Sequence, residues 1–288
     1  MGADDRVMER LRRSVTGGTR AERAVARLLL AGPPGAGLMS SARLAESAGV
    51  SGPTVSRFVS RLGYGGYAEF QDALRADLAE RERAPDEVYR DQLGASAGDL
   101  QGTAASVLEA TRASLLALDP AELGTAVELL SSPRNPVVCA GGSISHLSAS
   151  YLAVGLRTLR PRVTDCPPTA VDRSVAVADL GPRSVVVVFD FRQYESSVTE
   201  FARAAKAARA RVALVTDPWM SPVAEVADAV LTAAVEAATP FEVLSPTFAV
   251  IEVLVAAIAR ETGQRGTDRV AALSRLTDAW LSRPRSGA

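Results

Sequence analysis

Apolar residues recur at helical spacing through the first third of the chain and at strand spacing after residue 136. Ala24, Val25, Leu28 and Leu29 share one face of a helix predicted over 20–30, with Thr19 as its cap. The Gly/Pro run over 32–37 must break that helix. Leu44, Ala45 and Ala48 give a second helix an apolar face. Gly49 ends it, because glycine reaches the left-handed backbone region without a Cβ penalty. Val50 plugs the corner, Ser51 or Gly52 caps the next helix, and Pro53 suits its first turn. There Val55, Phe58, Val59 and Leu62 face inward, which leaves Thr54, Ser56, Arg57, Ser60 and Arg61 outward. A buried corner and a second helix with a free outer face are what a helix-turn-helix needs to enter a major groove. Residues 67–83 form another amphipathic helix, with Phe70, Leu74 and Leu78 on one side. Residues 1–18 are polar and Arg-rich and read as frayed or as a short leading helix.

Residues 84–102 carry Pro85 and several Gly and read as a linker; 103–118 and 120–130 are helical. From Pro136 short apolar runs alternate with helices. Strands are predicted over 136–140, 162–164, 184–189, 212–216 and 229–233. Helices are predicted over 143–158, 195–209, 221–227, 242–262 and 267–281. Such alternation means a parallel sheet with helices on both faces, and ligands of such sheets bind beyond the carboxyl ends of the strands. The expected organisation is an all-α domain over 1–83, a linker and connecting helix over 84–119, and an α/β domain over 120–288.

The length of 288 residues suits two domains, and 47% hydrophobic with 23% charged residues suits a globular protein with real cores. A net charge of −1 excludes a protein that is basic throughout. The charge is uneven, however: Met1 to Leu62 holds ten Arg against five Asp and Glu. A basic end on an acidic body fits a nucleic-acid module tethered to another domain. Lys206 is the only lysine, a bias that GC-rich coding explains better than function. Cys139 and Cys166 lie in apolar runs and are expected as free thiols in a reducing compartment. One His and two separated Cys make a transition-metal site improbable, and no cofactor is expected. With no signal-like opening segment and no run of about 18 apolar residues, the expected location is the cytoplasm.

The run LAESAGVSGPTVSRFVSRLGYGGYAEF resembles the N-terminal domain of the RpiR/MurR family of bacterial transcriptional regulators. Thr54, Val55, Arg57, Phe58, Leu62, Gly63, Tyr64 and Tyr67 fall where the family pattern places such residues. The turn from Gly141 to Ser145, the run EFARAAKAARARVALVTD and the run SPVAEVADAVL resemble a SIS (sugar isomerase) domain, the effector module of that family. Together the resemblances cover about residues 20–262. They imply an all-α helix-turn-helix domain followed by a flavodoxin-like α/β SIS domain. They also imply a homodimer or homotetramer that reads a near-palindromic operator on double-stranded DNA and represses carbohydrate or related catabolic genes. A small-molecule effector, with a sugar phosphate as one candidate, would bind the SIS domain.

On DNA, Thr54, Ser56 and Arg57 lie in the half of the second helix that reaches base edges, and Arg57 can bridge guanine O6 and N7. The same Arg can instead hold phosphate or a helix partner. Ser40, Ser41, Ser51, Ser60 and Arg61 complete the candidate set, mainly as phosphate contacts. In the SIS half, Gly141 and Ser145 match the family's first loop, and Ser143 replaces its second glycine. The second loop departs further. Asp190, Arg192 and Glu195 stand where the family carries hydroxyl residues, with Ser196 and Ser197 one turn later. Two carboxylates repel a phosphate, at about 4 kcal/mol per unit charge product at 4 Å in a screened site. Arg192 offsets part of this, or pairs with Asp190 structurally. His146 reads as a ligand contact, an acid/base group or a polar surface residue. Two other classes stay open: a phosphosugar isomerase using Glu195, Glu242 or His146, and a SIS domain that only dimerises.

Overall fold

The structure, a computed structural model, describes residues 7, 10, 11, 14, 19–31, 36–82, 100–239 and 241–281. Val7, Arg10, Leu11 and Ser14 are helical; the rest of 1–18, the break at 32–35 and the linker from 84 to 99 lie outside the described residues, as does the Leu78 side chain. α1 (Arg20–Ala31) opens with a reciprocal cap. The Thr19 N–H donates to Glu22 Oε2 at 2.7 Å and the Glu22 N–H to Thr19 Oγ1 at 3.3 Å. α2 (Ser41–Ser47) and α3 (Gly52–Arg61) are joined by a tight turn. In it Gly49 sits at φ 64 and the Val50 N–H returns to the Ala45 carbonyl at 2.9 Å. α4 (Tyr67–Glu82) closes the group, its Tyr67 hydroxyl donating to the Met39 carbonyl at 2.9 Å. Leu44, Ala45, Val55, Phe58, Val59, Leu62, Phe70 and Leu74 are buried together, as the apolar periodicity requires.

The second half opens with α5 (Leu100–Leu116) and α6 (Pro120–Ser131). Then follow β1 (Val137–Gly141), α7 (His146–Leu159), β2 (Val163–Cys166) and α8 (Ala170–Ala178). β3 (Val185–Asp190), α9 (Ser196–Ala207), β4 (Arg211–Thr216) and a 3₁₀ turn at Pro222–Glu225 come next. β5 (Ala229–Thr232), α10 (Ser245–Thr262) and α11 (Gln264–Leu281) complete the described chain. The five strands are all parallel, in the order β2-β1-β3-β4-β5. The order reverses beside β1, so a crevice opens between the β1 and β3 loops.

Strand alternation divides the core into two layers. Val137, Cys139, Val185, Val187 and Phe189 pack with Leu152 and Leu156 of α7 and Ile251 and Leu254 of α10. Val138, Ala140, Val186 and Val188 point the other way, onto Val198, Phe201 and Ala202 of α9. Burial on both faces explains why β1 and β3 read as unbroken apolar runs. Burial also pushes the Cys139 thiol up to about 12, so it stays protonated and unreactive. Both cysteines are free. Among the described residues, no helix is long and apolar enough to cross a membrane.

Several boundaries shift by two or three residues, as where α10 begins at Ser245 rather than residue 242, and three differences bear on the site. α7 begins at His146 rather than residue 143, because Ser145 ties residues 142–145 into a turn first. The helix expected over 221–227 is only the short 3₁₀ turn. α8 was not anticipated at all: Ala176 and Val177 pack on the core, but Val171 and Val175 are exposed while Arg173 is buried, which blurs the usual apolar stripe.

Candidate functional site

Two surfaces carry the candidate residues. On the first, α3 presents Ser56, Arg57, Ser60 and Arg61 to solvent, opposite its buried Val55, Phe58 and Val59. Ser51 is the N-cap residue, but its side chain makes no capping bond and meets the Thr54 hydroxyl at 2.8 Å instead. Ser40 caps α2, its Oγ accepting from the Arg43 N–H at 3.4 Å, and Ser41 follows in the first turn. Arg61 differs from its neighbours. Its guanidinium reaches Glu22 at 2.8 Å, so α3 is tied to the cap of α1. That contact makes Arg61 a brace as well as a surface cation, whereas the sequence suggests only a phosphate contact.

The second surface lies at the carboxyl ends of β1, β3 and β4. Gly141 ends β1, and a Cβ there would lie 2.6 Å from the His146 backbone nitrogen. Only glycine allows this approach. The Ser145 hydroxyl accepts from the Gly142 N–H at 2.7 Å and donates to the Phe189 carbonyl at 2.8 Å. It therefore joins the first loop to β3. Ser143 stays exposed, and its N–H donates to Glu195 Oε1 at 2.5 Å. Glu195 is the residue before α9 and arches over Gly142, where a Cβ would come within 2.3 Å of Oε1. Ser196 and Ser197 are exposed on the first turn of α9; Ser197 Oγ lies 3.5 Å from Glu195 Oε2.

Asp190 and Arg192 do not pair with each other. Asp190 is 2% exposed and accepts from the Ser221 hydroxyl at 2.5 Å, so it is a buried strand-end group rather than an open one. Burial pushes its carboxyl up to about 7; the Asp217 and Glu195 charges add, while hydrogen bonds from Ser221 and the Glu195 backbone oppose. Arg192 pairs with Glu236 at 2.7 Å and lies 5.6 Å over the Trp219 ring. Its backbone, and that of Tyr194, adopt positive φ values of 35° and 38°. Asp217 holds this loop. It is fully buried and accepts from the Arg192 N–H, from the Tyr194 hydroxyl at 2.6 Å and from the Trp219 N–H at 2.8 Å. Desolvation pushes Glu242 up, with Asp217 and Glu236 adding and Arg192 opposing, so it belongs to the same electrostatic neighbourhood.

His146 turns to the β2 edge. Its Nε2 lies 3.5 Å from Asp165 and 3.2 Å from the Ser150 hydroxyl, which itself donates to Asp165 at 2.8 Å. Several residues of the crevice escaped the sequence reading. Asp217 had a visible signal, a carboxylate directly after a buried strand. Arg173, whose Nη2 donates to the Gly141 carbonyl at 2.8 Å, had none, because α8 itself was not legible.

A helix-turn-helix followed by a parallel-sheet domain with an anion-type loop at its switch point defines a two-module regulator architecture. A family model for the helix-turn-helix domain of the rpiR family matches residues 6–81, and one for the SIS domain matches residues 129–257. The chain therefore carries a helix-turn-helix domain of the rpiR family followed by a SIS domain. The HTH-type transcriptional regulator HexR of Pseudomonas aeruginosa is 34% identical over 115 residues. That match spans 40% of this chain and 40% of HexR. The sugar isomerase domain of the RpiR transcription factor from Sphaerobacter thermophilus superposes with a TM-score of 0.57 at 23% identity, covering 60% of this chain and 96% of that one. The Vibrio vulnificus NanR protein complexed with ManNAc-6P gives 0.54 at 18% identity, over 96% of this chain and 99% of that one. At these identities the two structures establish the fold.

Proposed function

We propose that this chain is a sequence-specific DNA-binding transcriptional regulator, a repressor of carbohydrate or related catabolic genes. Residues 1–83 read DNA, residues 84–119 connect, and residues 120–288 bind a sugar-derived effector and oligomerise. One observation carries the reading: α3 buries Val55, Phe58 and Val59 and leaves Ser56, Arg57 and Ser60 exposed on the face a major groove would receive. HexR is named a transcriptional regulator and NanR was solved with a sugar phosphate, which supports the same assignment of the two halves. The isomerase alternative gains no support from Glu195, whose carboxylate is engaged by the Ser143 N–H.

The test is a gel-shift titration on the DNA upstream of the chain's own gene. Arg57→Ala should weaken operator binding by about 1–3 kcal/mol and relax preference at one base position. Unchanged affinity and unchanged base preference would remove Arg57 from the contact set.

A regulator of a near-palindromic operator acts as a dimer or tetramer. Ile144, in the turn before α7, and Leu147, Tyr151 and Val154 along α7 form an exposed apolar stripe, at 65%, 58%, 43% and 58% exposure. A twofold contact of this stripe with its own copy supports the oligomer. Leu147→Glu should shift the species towards monomer in sedimentation velocity and weaken operator binding in parallel. An unaltered sedimentation coefficient would move the interface elsewhere.

A further inference from the structure

Three donors of the first loop that would meet an anion are already engaged by the chain itself. Ser145 Oγ bridges the Gly142 N–H and the Phe189 carbonyl, and the Ser143 N–H donates to Glu195 at 2.5 Å. Gly142 is packed so closely under that carboxylate that a Cβ would lie 2.3 Å from Oε1 and 2.7 Å from Cδ. A phosphate could take these donors only by displacing Glu195 or by sharing the site with it as a like charge. Asp190, at the end of β3 on the same loop as Glu195, is a second carboxyl, buried beneath the site rather than open to it. We infer that the Glu195 carboxylate fills the anion position of this crevice, and that the effector is a neutral, hydroxyl-bearing ligand without a phosphate at this loop. The inference rests on reading the crevice as the effector site.

The chemistry left open at the mouth fits such a ligand. Glu195 is half-buried, and among the described residues its Oε2 accepts only a long contact of 3.5 Å from Ser197 Oγ, so the carboxylate keeps acceptor capacity. Ser143, Ser196 and Ser197 are exposed beside it and can both donate to and accept from sugar hydroxyls. A carboxylate fixed by a backbone N–H is a strong acceptor for a hydroxyl and a repulsive neighbour for a phosphate dianion.

The experiment is isothermal titration of the full-length protein with inorganic phosphate and with paired hexoses and hexose 6-phosphates. In the wild-type chain the phosphorylated member of each pair should bind no better than the unphosphorylated one. Glu195→Ser, which clears the cradle, should tighten phosphate binding by about 100-fold and reverse the order within the pairs. Glu195→Gln keeps the shape without the charge and should fall between the two. Wild-type affinity for phosphate within about threefold of Glu195→Ser would overturn the inference, as would a folded Glu195→Ser protein that gains nothing. Should the serine variant not fold, Glu195→Gln decides: tighter phosphate binding than wild type supports the inference, and equal binding overturns it. Operator binding is measured separately on the same samples. Loss of DNA binding would sink the regulator reading and leave the phosphate result standing; phosphate binding by the wild-type chain would do the reverse.

Discussion

Asp190→Asn is expected to stabilise the α/β domain by up to about 4 kcal/mol above pH 7 and to have little effect below pH 4. The group's folded value is raised from 3.8 to about 7, chiefly by burial. Between those values the folded protein holds a proton that the unfolded chain has released. Stability from this group is therefore complete below about pH 4 and is lost as pH rises through 7. The asparagine keeps an acceptor for the Ser221 hydroxyl and has no charge to desolvate. Urea unfolding at several pH values from 4 to 8, followed through the fluorescence of the buried Trp219, reads the difference directly. Wild-type and variant curves that run parallel across this range would show that Asp190 is ionised at no cost.

Asp217→Ala should be the most damaging single change in the crevice, costing about 3 kcal/mol or more. It removes the acceptor of the Arg192 N–H, the Tyr194 hydroxyl and the Trp219 N–H from a fully buried position. Those bonds hold Arg192 and Tyr194 at positive φ, so the loop would relax towards ordinary backbone angles. The same change takes away one of the charges that push the Asp190 carboxyl up, so the pH-dependent loss of stability should move to lower pH. Asp217→Asn, which keeps one acceptor, should cost less. Thermal melts and the pH profile together check this. A variant that melts within a degree or two of wild type would mean that Asp217 does not hold the loop.

Most of the fold was legible because its signals are local. The Val-rich strands, the Gly49 turn and the inward stripe of α3 each follow from a few neighbouring residues. The rest depends on contacts between residues far apart. α8 escaped because its buried residue is Arg173 and two of its three valines, Val171 and Val175, face out, so the apolar signal is split between its faces. The candidate site was half legible. Gly141, Ser143, Ser145 and Glu195 do converge at one loop, but the sequence could not reveal that Glu195 lies on the Ser143 N–H, 52 residues away along the chain. Nor could it reveal that Arg192 turns to Glu236 rather than Asp190, a choice made by the chain after β5.

That last segment has a mechanical consequence. α5, which arrives from the DNA-reading half, grips the chain beyond β5 through two serine hydroxyls. Ser114 accepts the Ala234 N–H at 2.9 Å and Ser106 accepts the Ala238 N–H at 2.7 Å. Between those two anchor points lies Glu236, the partner of Arg192. A shift of the Arg192 loop that carries the Glu236 backbone with it would strain the serine bonds on either side or draw α5 along. The helix that opens the second half of the chain is thus clamped to the rim of the crevice.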